Sequence, residues 1–310
     1  MFEALASPTL NGVNFAKALA IKDEHIPDRL YRYRAASDRD WDNLRNGKMW
    51  MSAANRYNDP FDSGITVDWQ ILKIASIKKR IRDAAYPWLT DQLRQQLLDH
   101  SDPTAEYIEL MLSSGAPPTD HHKAQARQVI ENVEDGLSVP GNPTPSIQSI
   151  VHVCSLAASG RSLLMWSHYA NQHEGFCVEY DFCSLPKGDP NRNRLYPVRY
   201  DARRFEVSAY LSAAHVESKD INATFVLLAC LHKSPEWSYE QEWRLIEYSP
   251  DITLKGSEAS MPAPSRIYLG ARISSENEAK AVAICTDLGI PLSKMRLSDS
   301  EYGLEPTSLS

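Results

Sequence analysis

The sequence predicts an α+β fold, with a central, mainly antiparallel sheet, flanking helices and a helical insertion. Three observations carry this. Short segments of period-two alternation, separated by turn formers, occur before residue 60 and again after residue 147. Between them, from about 69 to 135, apolar residues recur at helical spacing. The segment Trp237-Ser-Tyr-Glu-Gln-Glu-Trp-Arg-Leu-Ile246 then alternates charge with apolar bulk, as a strand with one polar face does.

The elements follow in order. Residues 1–29 read as a loose lead-in. Leu30-Tyr-Arg-Tyr-Arg34 is the first strand, with Tyr31 and Tyr33 on one face and Arg32 and Arg34 on the other. Ser37 or Asp38 caps a helix with a Trp41 and Leu44 stripe, ended by Gly47. Lys48 to Ser52 is a second strand, and Asn55 to Asp62 is dense in turn formers. The insertion groups Ile71, Ile74, Ile77 and Ile81, then Leu89, Leu93 and Leu97, then Tyr107, Leu110 and Met111, with prolines at 87, 103, 117 and 118 as separators. Its run Lys78-Lys79-Arg80-Ile-Arg82 reads as a solvated helix face, and Gly136 to Pro145 as a linker back to the strands.

Strands resume at Ile147 to Ala157, Gly175 to Phe182 and Arg194 to Tyr200. Lys219 to His232 has the spacing of an amphipathic helix. Ser265 to Ile273 is a further strand, and Ser275-Glu-Asn-Glu278 reads as a capping box for a helix that ends at Gly289. Residues 30–300 therefore read as one α+β domain, followed by a tail at 301–310.

Bulk properties narrow the function. A chain of 310 residues with 43% hydrophobic and 24% charged residues has the composition of a soluble globular protein. A net charge of -7 argues against a broadly basic surface that holds nucleic acid. Five cysteines without Cys-x-x-Cys spacing, several inside apolar runs, read as reduced thiols acting as small hydrophobes. With neither a signal-peptide pattern nor a run of about 20 apolar residues, the expected location is the cytoplasm. No Gly-x-Ser-x-Gly elbow and no Gly-rich phosphate loop occur, which weighs against serine hydrolase and nucleotide triphosphate chemistry. His168 and His173 lie five apart, outside the i, i+4 spacing of a helical zinc pair, so no metal is expected.

Four clusters remain that suit ligand chemistry: Tyr31-Arg-Tyr-Arg34; Met51-Ser52 with Asn58-Asp-Pro-Phe-Asp62; Met165-Trp-Ser-His-Tyr-Ala170 with His173 and Gly175; and Trp237 to Ile246. Arginine forks suit phosphates and carboxylates. If the last segment is one strand, Glu240, Glu242 and Arg244 share a face, and the two carboxylates, about 7 Å apart, need Arg244, Lys233 or a ligand cation to balance them.

Taken together, Leu30 to Arg34, Asn58 to Asp62, Trp166 to Ala170 with Gly175-Phe-Cys177, and Lys233 with Trp237 to Arg244 resemble a widespread bacterial family catalogued as a domain of unknown function. A more distant resemblance is to ADP-ribosyltransferases of the Arg-Ser-Glu type: an early strand with an arginine, a following strand ending in serine, and a late Glu-x-Glu. That resemblance implies a split antiparallel sheet holding NAD as substrate. By position, Arg32 or Arg34 would grip the phosphates, Ser52 would lie by the nicotinamide-ribose, and Glu242 would be catalytic with Glu240 assisting.

The expected function is thus NAD cleavage with transfer of ADP-ribose to a protein or nucleic-acid acceptor, or to water. By fold analogy alone, it implies a toxin or antiphage effector. Tyr33, Asn58, Asp59, Trp166, His168, Tyr169 and Arg244 are the further expected ligand contacts. The alternative is a non-catalytic sensor that binds a nucleotide, peptide or nucleic acid. A weaker one is a nuclease using Asp59, Asp62 and the glutamates around a metal. If the charged faces serve one cleft, the strand at Leu30 to Arg34 should lie beside the strand that carries Glu242.

Overall fold

The computed structural model describes residues 1–83, 90–103, 120, 124, 144–217 and 222–309. In chain order the strands begin with β1 (Leu30–Arg34), β2 (Lys48–Ala53), β3 (Ile65–Thr66), β4 (Val151–Ala157) and β5 (Phe176–Tyr180). They continue with β6 (Leu195–Pro197), β7 (Arg199–Tyr200), β8 (Phe205–Glu206), β9 (His232–Lys233) and β10 (Glu242–Tyr248). The last four are β11 (Gly256–Ser260), β12 (Arg266–Leu269), β13 (Leu292–Leu297) and β14 (Leu304–Ser308). The main sheet runs β11-β2-β4-β1-β5-β12-β13-β14 and is antiparallel except for the β12–β13 pair. The chain is thus a mixed helix-and-strand fold with an open, mainly antiparallel sheet.

β4 organises this sheet. Along one edge it pairs with all of β10, from Glu242 opposite Ala157 to Tyr248 opposite Val151. Two strands share its other edge. β2 pairs at Ser52–Val153 and Ala53–His152, and β1 pairs at Tyr31–Ala157. Between those contacts β1 and β2 diverge, and the sheet is split. Contrary to the sequence expectation, β1 and β10 are therefore not neighbours; they approach Ala157 from opposite sides, about 10 Å apart at ordinary strand spacing.

The two sheet faces differ. One carries a large apolar core with Leu30, Met49, Met51, Leu156, Phe176, Val178, Trp243 and Leu245. Trp41 stacks on Phe176 there at 4.2 Å, anchoring the helix Asp38–Arg45, whose capping box is formed by Ser37 and Asp40. The opposite face carries two smaller clusters. Val151, Val153 and Ile246 belong to one; Tyr33, Ala157, Met165 and Trp166 belong to the other.

Several sequence expectations need correction. Residues 1–29 are not a loose lead-in, since helices Phe2–Leu5 and Phe15–Glu24 bury Leu5 and Ala18 in the core around Val151. Asn222 fixes them by donating to the Leu5 carbonyl at 3.0 Å. The expected tail contributes β14, paired with β13 from Leu304–Leu297 to Ser308–Ser293. Ile147 to Ala157 is a short helix, Thr144–Ser149, followed by β4. Arg194 to Tyr200 divides into β6 and β7, and the helix expected from Lys219 is Thr224–Cys230, with residues 218–221 outside the described residues.

Of the insertion, helices Trp69–Asp83 and Asp91–Asp99 are described, with no sheet strand among its described residues. Leu89, Tyr107, Leu110, Met111 and Gly136 to Gly141 lie outside them.

The main correction concerns Trp237–Ile246. It is not one strand. Pro235–Glu240 forms a 3-10 helix, Gln241 turns with φ 45°, and β10 begins at Glu242. Proline at the helix start suits the first turn, whereas a left-handed glutamine has no sequence signature.

Leu5 supplies a direct check. It is 3% exposed, so Leu5→Ala should lower unfolding stability by about 2–3 kcal/mol in urea titration. An unchanged midpoint would restore the loose lead-in.

Candidate functional site

A pocket of about 370 Å³ occupies the split between β1 and β2. Its two ends differ in charge because the faces of two strands meet there. Arg32 and Arg34 alternate with Tyr31 and Tyr33, so they leave β1 on the side of Leu30. Glu242 and Arg244 leave β10 on the side of Ile246. Where β1 and β2 part, the two sets reach a common space.

At the basic end, the Arg32 guanidinium donates through Nη1 to the Ser155 carbonyl at 2.6 Å, capping a β4 group that the split leaves without a strand partner on that edge. Its Nε is buried with no hydrogen-bond partner among the described residues. Arg34 Nε lies 3.4 Å from Asp40, and Nη2 rests against Met49 Sδ at 2.9 Å. Asp40 also accepts from Ser37, so its charge serves the helix cap as well. Burial, then the neighbouring Arg32 charge, lower the Arg34 pKa, with Asp40 opposing them. Gly175 permits this packing, because a Cβ there would come within 2.0 Å of the Arg34 carbonyl oxygen.

At the acidic end, Arg244 is the hub. It has 0% exposure. One edge of its guanidinium holds Glu242 (Nε–Oε1 2.9 Å, Nη2–Oε2 3.1 Å) and the other holds Asp62 in a fork (Nη1–Oδ1 2.8 Å, Nη2–Oδ2 2.6 Å). Nη1 also donates to the Cys230 carbonyl at 2.5 Å. Lys233 Nζ sits among three carboxylates, 2.5 Å from Glu240, 2.9 Å from Glu242 and 3.7 Å from Asp62. The Tyr169 hydroxyl donates to the other Glu240 oxygen at 2.6 Å.

With all groups ionised, the three carboxylates exceed the two cations by one charge. Burial alone would raise the Glu242 pKa, but Arg244 and Lys233 outweigh it and hold that carboxyl well below its ordinary 4.5. Glu240 shifts the other way, raised by burial, with Lys233 opposing and Glu242 adding to the rise. Burial lowers the Lys233 pKa, but Glu242, Asp62 and Glu240 carry it up to about 12.

Arg32, Tyr33, Arg34, Ser52, Asn58, Tyr169, Glu240 and Glu242 all line this one pocket. Other expected contacts lie elsewhere. Trp166 is fully buried, donates to the Gly160 carbonyl and packs edge-on to Tyr33, so it is core. His168 is exposed against Tyr169 and Tyr239, outside the pocket lining. Asp59 accepts from the Phe61 backbone N–H at 2.8 Å, a turn role. Arg244 lies beneath the lining and touches its carboxylates.

The nuclease alternative loses its geometry, since the Lys233 ammonium occupies the focus of Asp62, Glu240 and Glu242. Sequence reasoning gave Asp62 and Lys233 too little weight and missed Tyr57, whose ring lies 5.7 Å from the Arg244 guanidinium. For Asp62 the signal was the charge that closes Asn58-Asp-Pro-Phe-Asp62. For Tyr57 there was none.

Residues 165–245 match a family described as a protein of unknown function (DUF2971). That segment runs from Met165 through Tyr169, Lys233 and Glu240 to Glu242 and Arg244, and so contains most of the acidic end. No curated protein and no solved structure matches the chain. Among the described residues, no helix is long and apolar enough to cross a membrane.

Two outcomes follow from the charge cluster. Arg244→Met strands Asp62 and Glu242 as buried charges and should cost about 3–5 kcal/mol in chemical unfolding, an expectation that a loss under about 1 kcal/mol contradicts. The second concerns pH. Because the folded Glu242 pKa is depressed, its stabilisation is present above 4.5 and is lost as pH falls below that value. Thermal unfolding should therefore be more acid-sensitive in wild type than in Glu242→Gln between neutral pH and about pH 3. Equal acid sensitivity would contradict the pairing.

Proposed function

We propose that the chain is an NAD-consuming enzyme of the ADP-ribosyltransferase type, cleaving the nicotinamide–ribose bond and passing ADP-ribose to an acceptor. One observation carries this reading: a single pocket presents two partly buried arginines at one end and an excess of carboxylate charge at the other. NAD has the matching polarity, with an anionic pyrophosphate and a cationic nicotinamide ring. Arg32, with its unused Nε, and Arg34 would take the phosphates. Ser52 would face the nicotinamide-ribose. Glu242, kept ionised, would oppose the positive charge that develops on the ribose as the bonding pair leaves with nicotinamide. No metal is required for that step.

A second reading has an observation of its own. Both Glu242 oxygens are held by cations, Oε1 by Arg244 and Oε2 by Arg244 and Lys233. A carboxylate neutralised in this way suits a rigid binding site for a nucleotide, in which no bond is broken.

Release of nicotinamide from NAD separates the two. The enzyme reading expects release by wild type, with water or cell extract as acceptor, and a drop of about 10²- to 10³-fold in Glu242→Gln. Equal release by both proteins removes Glu242 from catalysis. Binding of NAD without any release favours the sensor.

A further inference from the structure

Asp62 has no counterpart in the Arg-Ser-Glu pattern, yet it lines the pocket and is joined to Glu242 through Arg244. It is 2% exposed and sits in a loop more than 180 residues before Arg244. Its carboxylate takes one edge of the Arg244 fork and Glu242 takes the other. The loop itself is pinned: the Ser63 hydroxyl donates to Asp62 Oδ1 at 2.9 Å, and Gln148 Nε2 donates to the Asp62 carbonyl at 2.7 Å. The Arg244 donors are saturated by Asp62, Glu242, Ser63 and the Cys230 carbonyl.

We propose that Asp62 is a positioning residue for Glu242, acting through Arg244 and resting on the NAD-cleaving reading above. It does so in two ways. Geometrically, a guanidinium is a rigid planar fork, so fixing one edge against Asp62 fixes the direction of the Nε–Nη2 edge that holds Glu242. Electrostatically, Asp62 shares the Arg244 charge. Without it that charge falls on Glu242 alone, and less negative potential is left to face the positive charge that develops on the ribose. Lys233, 3.7 Å from Asp62 and 2.9 Å from Glu242, is subject to the same sharing. The Asn58–Asp62 turn and the Glu242–Arg244 stretch of β10 are then one device, joined by a buried ion pair.

Asp62→Asn keeps the shape, removes the charge and sets an amide N–H₂ against Arg244 where an acceptor stood. The closing experiment is a double-mutant cycle with Glu242→Gln, read by nicotinamide release and by crystal structures of the two single variants. Alone, Asp62→Asn should lower kcat by about 10-fold or more and leave KM within about 2-fold, since the arginine end is untouched. In the Glu242→Gln background the same change should have a markedly smaller effect, because Asp62, although it also lines the pocket, acts mainly through Glu242. In the crystal, the Asp62→Asn fork should turn and carry the Glu242 carboxylate with it. Equal loss of kcat in both backgrounds, or an unmoved Glu242, overturns the proposal.

The structural arm does not depend on turnover, so an inactive wild type would sink the NAD reading while the positioning claim is still decided. Should Asp62→Asn fail to fold, Ser63→Ala loosens the same carboxylate with every charge retained. It should show a smaller, equally non-additive loss of kcat and a shifted Glu242, and an unaltered Glu242 position there also counts against the proposal.

Discussion

A guanidinium with no access to water must be surrounded by acceptors, and that requirement on Arg244 ties the site together. It gathers Glu242 from its own strand, Asp62 from the loop after β2 and the Cys230 carbonyl from the end of helix Thr224–Cys230. Desolvating such a charge is expensive, and its ion pairs repay this only when the geometry is good and all donors are used. The cluster is therefore weak evidence for stability and better evidence that a defined arrangement of carboxylates is being held in place.

The split beside β4 gives that arrangement its purpose. A continuous sheet would have kept the β1 arginines and the β10 carboxylates on opposite faces. Because β1 and β2 hold opposite ends of one β4 edge, the middle of that edge opens into a pocket. Arg32 covers the exposed Ser155 carbonyl and keeps an unused Nε, while Arg34 shares Asp40 with a helix cap. The basic end is thus short of negative charge and the acidic end short of positive charge. A dipolar ligand answers both.

Much of this was legible in the sequence. β1 and β2, the Ser37 cap, the alternation in β5 and the Gly289 stop of the helix Ser275–Leu288 all follow from local patterns. The four clusters were chosen for their chemistry, and most of their polar members line one pocket. What escaped was set by tertiary context. Glu240 and Glu242 do not converge through strand periodicity; the left-handed Gln241 turn brings them to Lys233. Trp166 looked like a ligand contact because it stands beside His168 and Tyr169, yet its indole N–H is spent on Gly160 in the core. The helices Phe2–Leu5 and Phe15–Glu24 hold their place through packing around Val151 that no local pattern predicts.

On the proposed reading, the split between β1 and β2 takes a ligand with opposite charges at its two ends. A crystal structure of the protein soaked with NAD tests it most directly. Pyrophosphate density is expected within hydrogen-bond reach of Arg32 and Arg34, and ribose beside Glu242. NAD bound elsewhere on the molecule, or a split that stays free of it at saturating concentration, would rule out this site.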